Sequence, residues 1–155
     1  DRLAAAMARL TARLGPDRVS SPRPADGYRP EAAGHAEFDP PPPPKVARPP
    51  RSGRGLLAVR VLRPPVALEV IAEGNGAGDD GAGLRLVSVA SVQGQTPRVQ
   101  GPVRVAAGPW SLEEGWWSAD PTARDYWDVE LSGGGLWRIY RDRGSGDWYA
   151  DGMYD

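Results

Sequence analysis

Residues Pro40 to Pro44 form an unbroken proline run. Proline has no backbone N–H and a fixed φ, so the run can enter neither a helix interior nor the middle of a sheet. The chain is therefore expected to fold on either side of it. Residues 1–39 read as a helix followed by an irregular segment. Residues 40–54 read as a Pro/Gly-rich linker of polyproline type that loosens into flexible chain. Residues 55–155 hold the apolar density of a core, small but sufficient for a domain of about 100 residues.

On the N-terminal side, Leu3, Met7, Leu10 and Leu14 recur at helical spacing, and Ala4, Ala5, Ala6 and Ala8 add propensity. Gly15-Pro16 supplies the stop, and Pro22, Pro24 and Pro30 mark residues 20–39 as irregular. A helix this short is marginal alone, so its leucine stripe needs a partner surface.

Beyond the linker the period changes from that of a helix to that of a strand. Leu57, Val59 and Val61 alternate with polar or small residues, Pro64-Pro65 is expected to turn the chain, and Leu68 and Val70 resume the pattern. Further strands are expected over residues 84–92 and 98–105, the second placing Val99, Val103 and Val105 on one face. Trp127, Val129 and Leu131 alternate with Asp128 and Glu130, and a hairpin loop at residues 132–135 leads to Trp137 and Ile139. Gly144-Ser145-Gly146 turns into a last short strand at residues 148–150. The expected fold is mainly β, a small barrel or curled antiparallel sheet of about seven strands.

Charge and residue chemistry exclude several classes. Residues 1–65 carry 12 Lys/Arg against 6 Asp/Glu, net +6, whereas residues 66–155 carry 7 against 14, net −7. An acidic module repels phosphate, which argues against general nucleic-acid binding by the β domain. The chain has no cysteine, and its one histidine, His35, lies in the leader. Neither a nucleophile–histidine triad nor a thiolate or histidine metal site can be assembled from that stock. Asp79-Asp80 and Glu113-Glu114 are adjacent pairs whose side chains diverge on extended chain, and the glycines of residues 74–83 lack the Gly-Lys-Ser/Thr and helix of a phosphate cradle. No catalysis, cofactor, metal or membrane span is expected. Asp1 follows no start methionine and no signal pattern, so the chain is expected to be part of a longer protein. Abundant Arg, Ala, Gly and Pro with Lys45 as the sole lysine fit coding by a GC-rich bacterial genome.

Aromatic density is what remains. All six tryptophans fall between Trp110 and Trp148. Trp127, Trp137 and Trp148 sit at strand positions where a small barrel needs bulk. Trp116-Trp117 are side by side. On extended chain the two rings point to opposite faces, so one is expected inward and one at the surface, where tryptophan is a frequent interface anchor. Trp148-Tyr149 repeat the arrangement.

Gly108-Pro109, Gly115-Trp116-Trp117, Arg124-Asp125-Tyr126-Trp127, the strand Trp137 to Arg141 and the closing Trp148 to Tyr154 resemble the C-terminal region of the ImuB family. The leader segments Ala8 to Gly15 and Tyr28 to Ala33 are similar to the stretch that follows the polymerase-like body in that family. The usual ending Trp-Phe-Leu-His-Gly-Leu-Phe is altered here, with Tyr149, Ala150, Asp151, Met153 and Tyr154 at the five changed positions. Residues 75–83 fall outside the resemblance.

ImuB proteins are catalytically inactive, Y-family-polymerase-like subunits of a bacterial mutasome, acting in SOS-linked DNA damage tolerance. The resemblance implies a docking platform for a RecA-like subunit and an error-prone replicative-type polymerase, in the cytoplasm and at the nucleoid when active. DNA would be reached only through the polymerase-like body. The residues so implicated in partner binding are Trp116, Trp117, Arg124, Asp125, Tyr126, Trp148, Tyr149, Met153 and Tyr154. The alternative is a small aromatic barrel that stacks single-stranded nucleic acid.

Overall fold

The structure, a computed structural model, describes residues 2–32, 34–38, 58–74 and 83–155. The expected linker at residues 40–54 and the loop at residues 75–82, with Asp79-Asp80, lie outside the described residues. The chain divides into two compact units, Asp1–Gly55 and Leu56–Asp155.

In the first unit, helix α1 spans Arg2–Leu14 and a 3-10 turn follows at Pro16–Arg18. None of its residues is fully buried, and Leu3, Leu10 and Leu14 are about half exposed. Strands β1 (Ser20–Arg23) and β2 (Gly34–Glu37) then pair antiparallel, which corrects the expectation of an irregular segment. The prolines did not forbid this ribbon. Pro22 sits on a two-stranded sheet, where every strand is an edge and an N–H can be spared, and Pro24 and Pro30 fall in the connection between the strands.

The second unit is a closed antiparallel barrel of six strands. They are β3 (Val59–Glu73), β4 (Arg85–Ser91), β5 (Gln100–Glu114), β6 (Thr122–Leu131), β7 (Leu136–Asp142) and β8 (Trp148–Tyr154). They follow one another around the ring, and β3 closes it against β8. The fold class is thus as expected, with six barrel strands in place of about seven.

The difference lies at Pro64-Pro65. β3 runs through them without turning: Val61 faces Gly152 and Val66 faces Ala150, so five steps along β3 match two along β8. The surplus residues form a bulge that contains both prolines, where a missing N–H costs no ladder bond and the strand gains the bend a small ring needs.

The core forms around alternate residues of β3, β6 and β7, joined by single positions from the other strands. Trp127, Val129 and Leu131 of β6 meet Trp137 and Ile139 of β7, Ala150 of β8, Val66 and Leu68 of β3, and Leu86 and Val89 of β4, with Val99 just before β5. Val105 was expected to share the face of Val99 and Val103, yet it is 54% exposed. Val103 pairs with Leu131 and Val105 with Glu130, two steps on β5 against one on β6, so this bulge turns Val105 and the residues up to Ala107 to the other face. A second irregularity lies between Ala107 and Trp110. There Gly108 passes so close to the core that a Cβ would come within 2.8 Å of the Trp127 ring and 2.6 Å of the Tyr126 carbonyl oxygen. Only glycine fits that crossing.

Candidate docking surface

The β5–β6 hairpin carries the most exposed aromatic pair of the barrel at its tip. The last rung joins Glu114 to Thr122, and Gly115, at φ +66°, opens the turn. Ser118 closes it by donating its N–H to the Gly115 carbonyl at 2.7 Å, with the Ser118 hydroxyl on the same oxygen at 2.8 Å. Trp116 and Trp117 are therefore the two central residues of a β-turn, not residues of an extended segment. The expectation of one inward ring is overturned: they are 79% and 72% exposed. Their rings meet edge to face, centroids 5.3 Å apart at 89°, which satisfies each ring's quadrupole and leaves indole surface bare.

The base of this hairpin is clamped from the β7–β8 turn. Arg143 donates from Nε and Nη2 to Oδ1 of Asp125 at 3.0 and 2.8 Å, and from Nη1 to Glu113 at 2.6 Å. Nη2 also reaches the Ser111 hydroxyl at 2.6 Å, and that hydroxyl donates to Asp125 at 2.7 Å. The Arg143 N–H adds a bond to the Ala123 carbonyl at 2.9 Å. Asp125 is completely buried, and the bonded carboxylate, above all, holds the guanidinium more firmly protonated than an ordinary arginine. With the carboxylate this dry, losing the arginine is costly, because the remaining ion keeps its desolvation penalty. The turn itself is held by Asp142, whose side chain accepts from the Gly144 and Ser145 N–H groups at 2.9 Å.

Four residues back from the last rung, roughly 13 Å of strand, a second set of rings crosses the outside of the barrel. Trp110, Tyr126, Tyr140 and Tyr149 occupy successive paired positions on β5, β6, β7 and β8. Neighbouring centroids lie 6.1, 5.2 and 5.3 Å apart. Arg124 lies over the Tyr140 ring at 4.5 Å and Arg138 over the Tyr126 ring at 5.7 Å. Asp151, the surplus residue of a bulge against β7, accepts from the Tyr126 hydroxyl at 3.2 Å and from Arg138 Nε at 2.8 Å. The middle of this row is buried although it faces away from the core.

The implicated residues thus divide five ways. Trp116 and Trp117 stand at the bare tip. Arg124, Tyr126 and Tyr149 belong to the outer row. Asp125 is locked in the clamp. Trp148 and Met153 pack against the core, Trp148 at 4.9 Å from Trp127, so the closing segment is a barrel strand with its side chains shared between two faces. Tyr154 lies on the outer side and donates its hydroxyl to Asp128 at 2.5 Å. Burial, then that carboxylate, pushes its phenol up to about 12. Trp110, Ser111, Glu113, Arg138, Tyr140, Arg143 and Asp151 were missed. Their roles depend on cross-strand register, which a lone sequence does not state.

Among the described residues no group of three His, Asp or Glu side chains is placed to hold a metal ion, and no helix is long and apolar enough to cross a membrane. No protein-family model, curated protein or solved structure matches the chain.

Proposed function

We propose that the barrel is a non-catalytic protein-docking module of a bacterial translesion-synthesis subunit. In this reading it links a polymerase-like body to a RecA-like subunit and an error-prone replicative-type polymerase, within the cytoplasm and at the nucleoid when active. The observation that carries the docking part is the Trp116-Trp117 turn, two large apolar rings held in water by a hairpin whose base is fixed. Exposed tryptophan on a rigid support is how many interface anchors are built, since little ordering entropy is lost on binding. The mutasome setting is supported by the sequence resemblance, and the non-catalytic reading by a barrel that contains neither histidine nor cysteine.

The test is a pull-down of the full chain against a purified RecA-like mutasome subunit and an error-prone polymerase, repeated with W116A/W117A. Capture of either protein, lost in the variant, is the expected outcome. Capture of neither, with tight and salt-sensitive retention of single-stranded DNA, would put a stacking module in its place.

A further inference from the structure

The charges around the tip narrow the chemistry of what it receives. From Val105 to Ala123 every charged side chain is a carboxylate, namely Glu113, Glu114 and Asp120. Glu113 and Glu114 end β5, and Asp120 lies in the turn region after the tryptophans, its N–H on the Ser118 hydroxyl at 3.2 Å. Arg143 from the β7–β8 turn and Arg124 from β6, the hairpin's own second strand, bring positive charge to this region. Arg143 is shared between Asp125 and Glu113, and Arg124 lies over the Tyr140 ring. The tip keeps a net negative charge, on a domain whose residues 66–155 sum to −7.

Two open indoles beside carboxylates are a receptor for a cation with a flat or greasy stem. Indole is the strongest cation–π face among the side chains, and a guanidinium stacks on it while still donating in its own plane to a carboxylate. A phosphate-bearing ligand meets the same aromatic surface with repulsion. Resting on the docking reading above, we propose that the Trp116-Trp117 turn receives an arginine- or lysine-bearing segment of a protein partner. The cation lies over an indole face, in the negative field of the carboxylates that crowd this end of the hairpin.

The full 155-residue chain is titrated with three synthetic peptides of equal length. One is arginine-rich with leucine spacers, one has glutamine in place of arginine, and one has glutamate. An oligothymidylate is the fourth probe. Binding of the arginine peptide is expected, weakening as salt shortens the range of surface charge. The variant W116A/W117A should lose about tenfold or more in affinity, and E114Q/D120N, which keeps both rings, severalfold. Melting curves of both variants check that the fold is retained.

A second readout needs no peptide. Caesium should quench the part of the fluorescence that W116F/W117F removes more strongly than iodide does, because the local potential is negative. Equal binding of the glutamine peptide, or stronger quenching by iodide, overturns the choice of a basic partner and leaves the docking reading standing. Arginine-peptide binding that survives W116A/W117A removes the tip as the site and takes the docking reading with it. Failure of the arginine peptide to bind overturns the proposal, and oligothymidylate binding that depends on the two tryptophans overturns both readings.

Discussion

Two groups of rings lie on the outside of this barrel, and the middle of one is sealed while the other stands bare. In the outer row Tyr126 and Tyr140 are 2% and 4% exposed, while at the tip Trp116 and Trp117 are 79% and 72% exposed. Residue type does not explain the contrast. A strand residue away from a sheet edge has neighbours on both sides at about 5 Å, so aromatic rings placed in register cover one another, and the arginines and Asp151 seal the remainder. Residues at the centre of a two-ended turn have no flanking strand, so Trp116 and Trp117 can cover only each other. Packed aromatics of the row hold the sheet; the bare pair is left in water, as the docking proposal requires.

That contrast can be broken from either side. The largest expected effect is in the row. Tyr126→Ala removes a ring packed between Trp110 and Tyr140 and leaves Asp151 without one of its donors, so unfolding in urea should show a loss of about 3–5 kcal/mol. A loss below about 1 kcal/mol would mean that the row is a surface like the tip. Next comes the clamp. Arg143→Met strands the buried Asp125 carboxylate and should cost about 3 kcal/mol, and adding Asp125→Asn should restore part of it. Full additivity of the two changes would show that the pair is not coupled.

A smaller effect concerns Tyr154, at the far end of the outer face. Its folded pKa, about 12, lies above the ordinary 10, so the neutral phenol is the form the fold favours. The resulting stability is fully present below pH 10 and is lost as pH rises through 12. Tyr154→Phe should flatten the stability profile in that window, which chemical denaturation at stepped alkaline pH would show. An unchanged profile would place the Tyr154 hydroxyl in water and not on Asp128.

Much of the barrel was legible in the sequence. Trp127, Val129 and Leu131 alternate cleanly with Asp128 and Glu130, and burial follows that period residue by residue. Errors arose where the period breaks. Pro64-Pro65 bends β3 inside a bulge, and the bulge after Val103 reverses the outward set, because an unpaired residue shifts parity without leaving a mark in composition. The site was legible as a list and not as a geometry. Asp125 and Tyr126 are adjacent in the chain, yet one faces the clamp and the other the row, and Arg143 enters only because the β7–β8 turn comes back over Ala123. Trp116-Trp117 was misread for a related reason: extended chain would separate the rings, and a turn does not.

The smallest expected effect on stability is also the most informative. In the double variant W116A/W117A, melting should match the wild type, with a difference below about 0.5 kcal/mol, because two exposed rings are removed from a turn that is closed by Gly115 and Ser118. Affinity for the captured RecA-like subunit or polymerase, measured by titration calorimetry on the same preparation, should fall by about 2 kcal/mol or more. A variant that melts early and binds normally would contradict the account, since the tip would then belong to the fold and the docking surface would lie elsewhere.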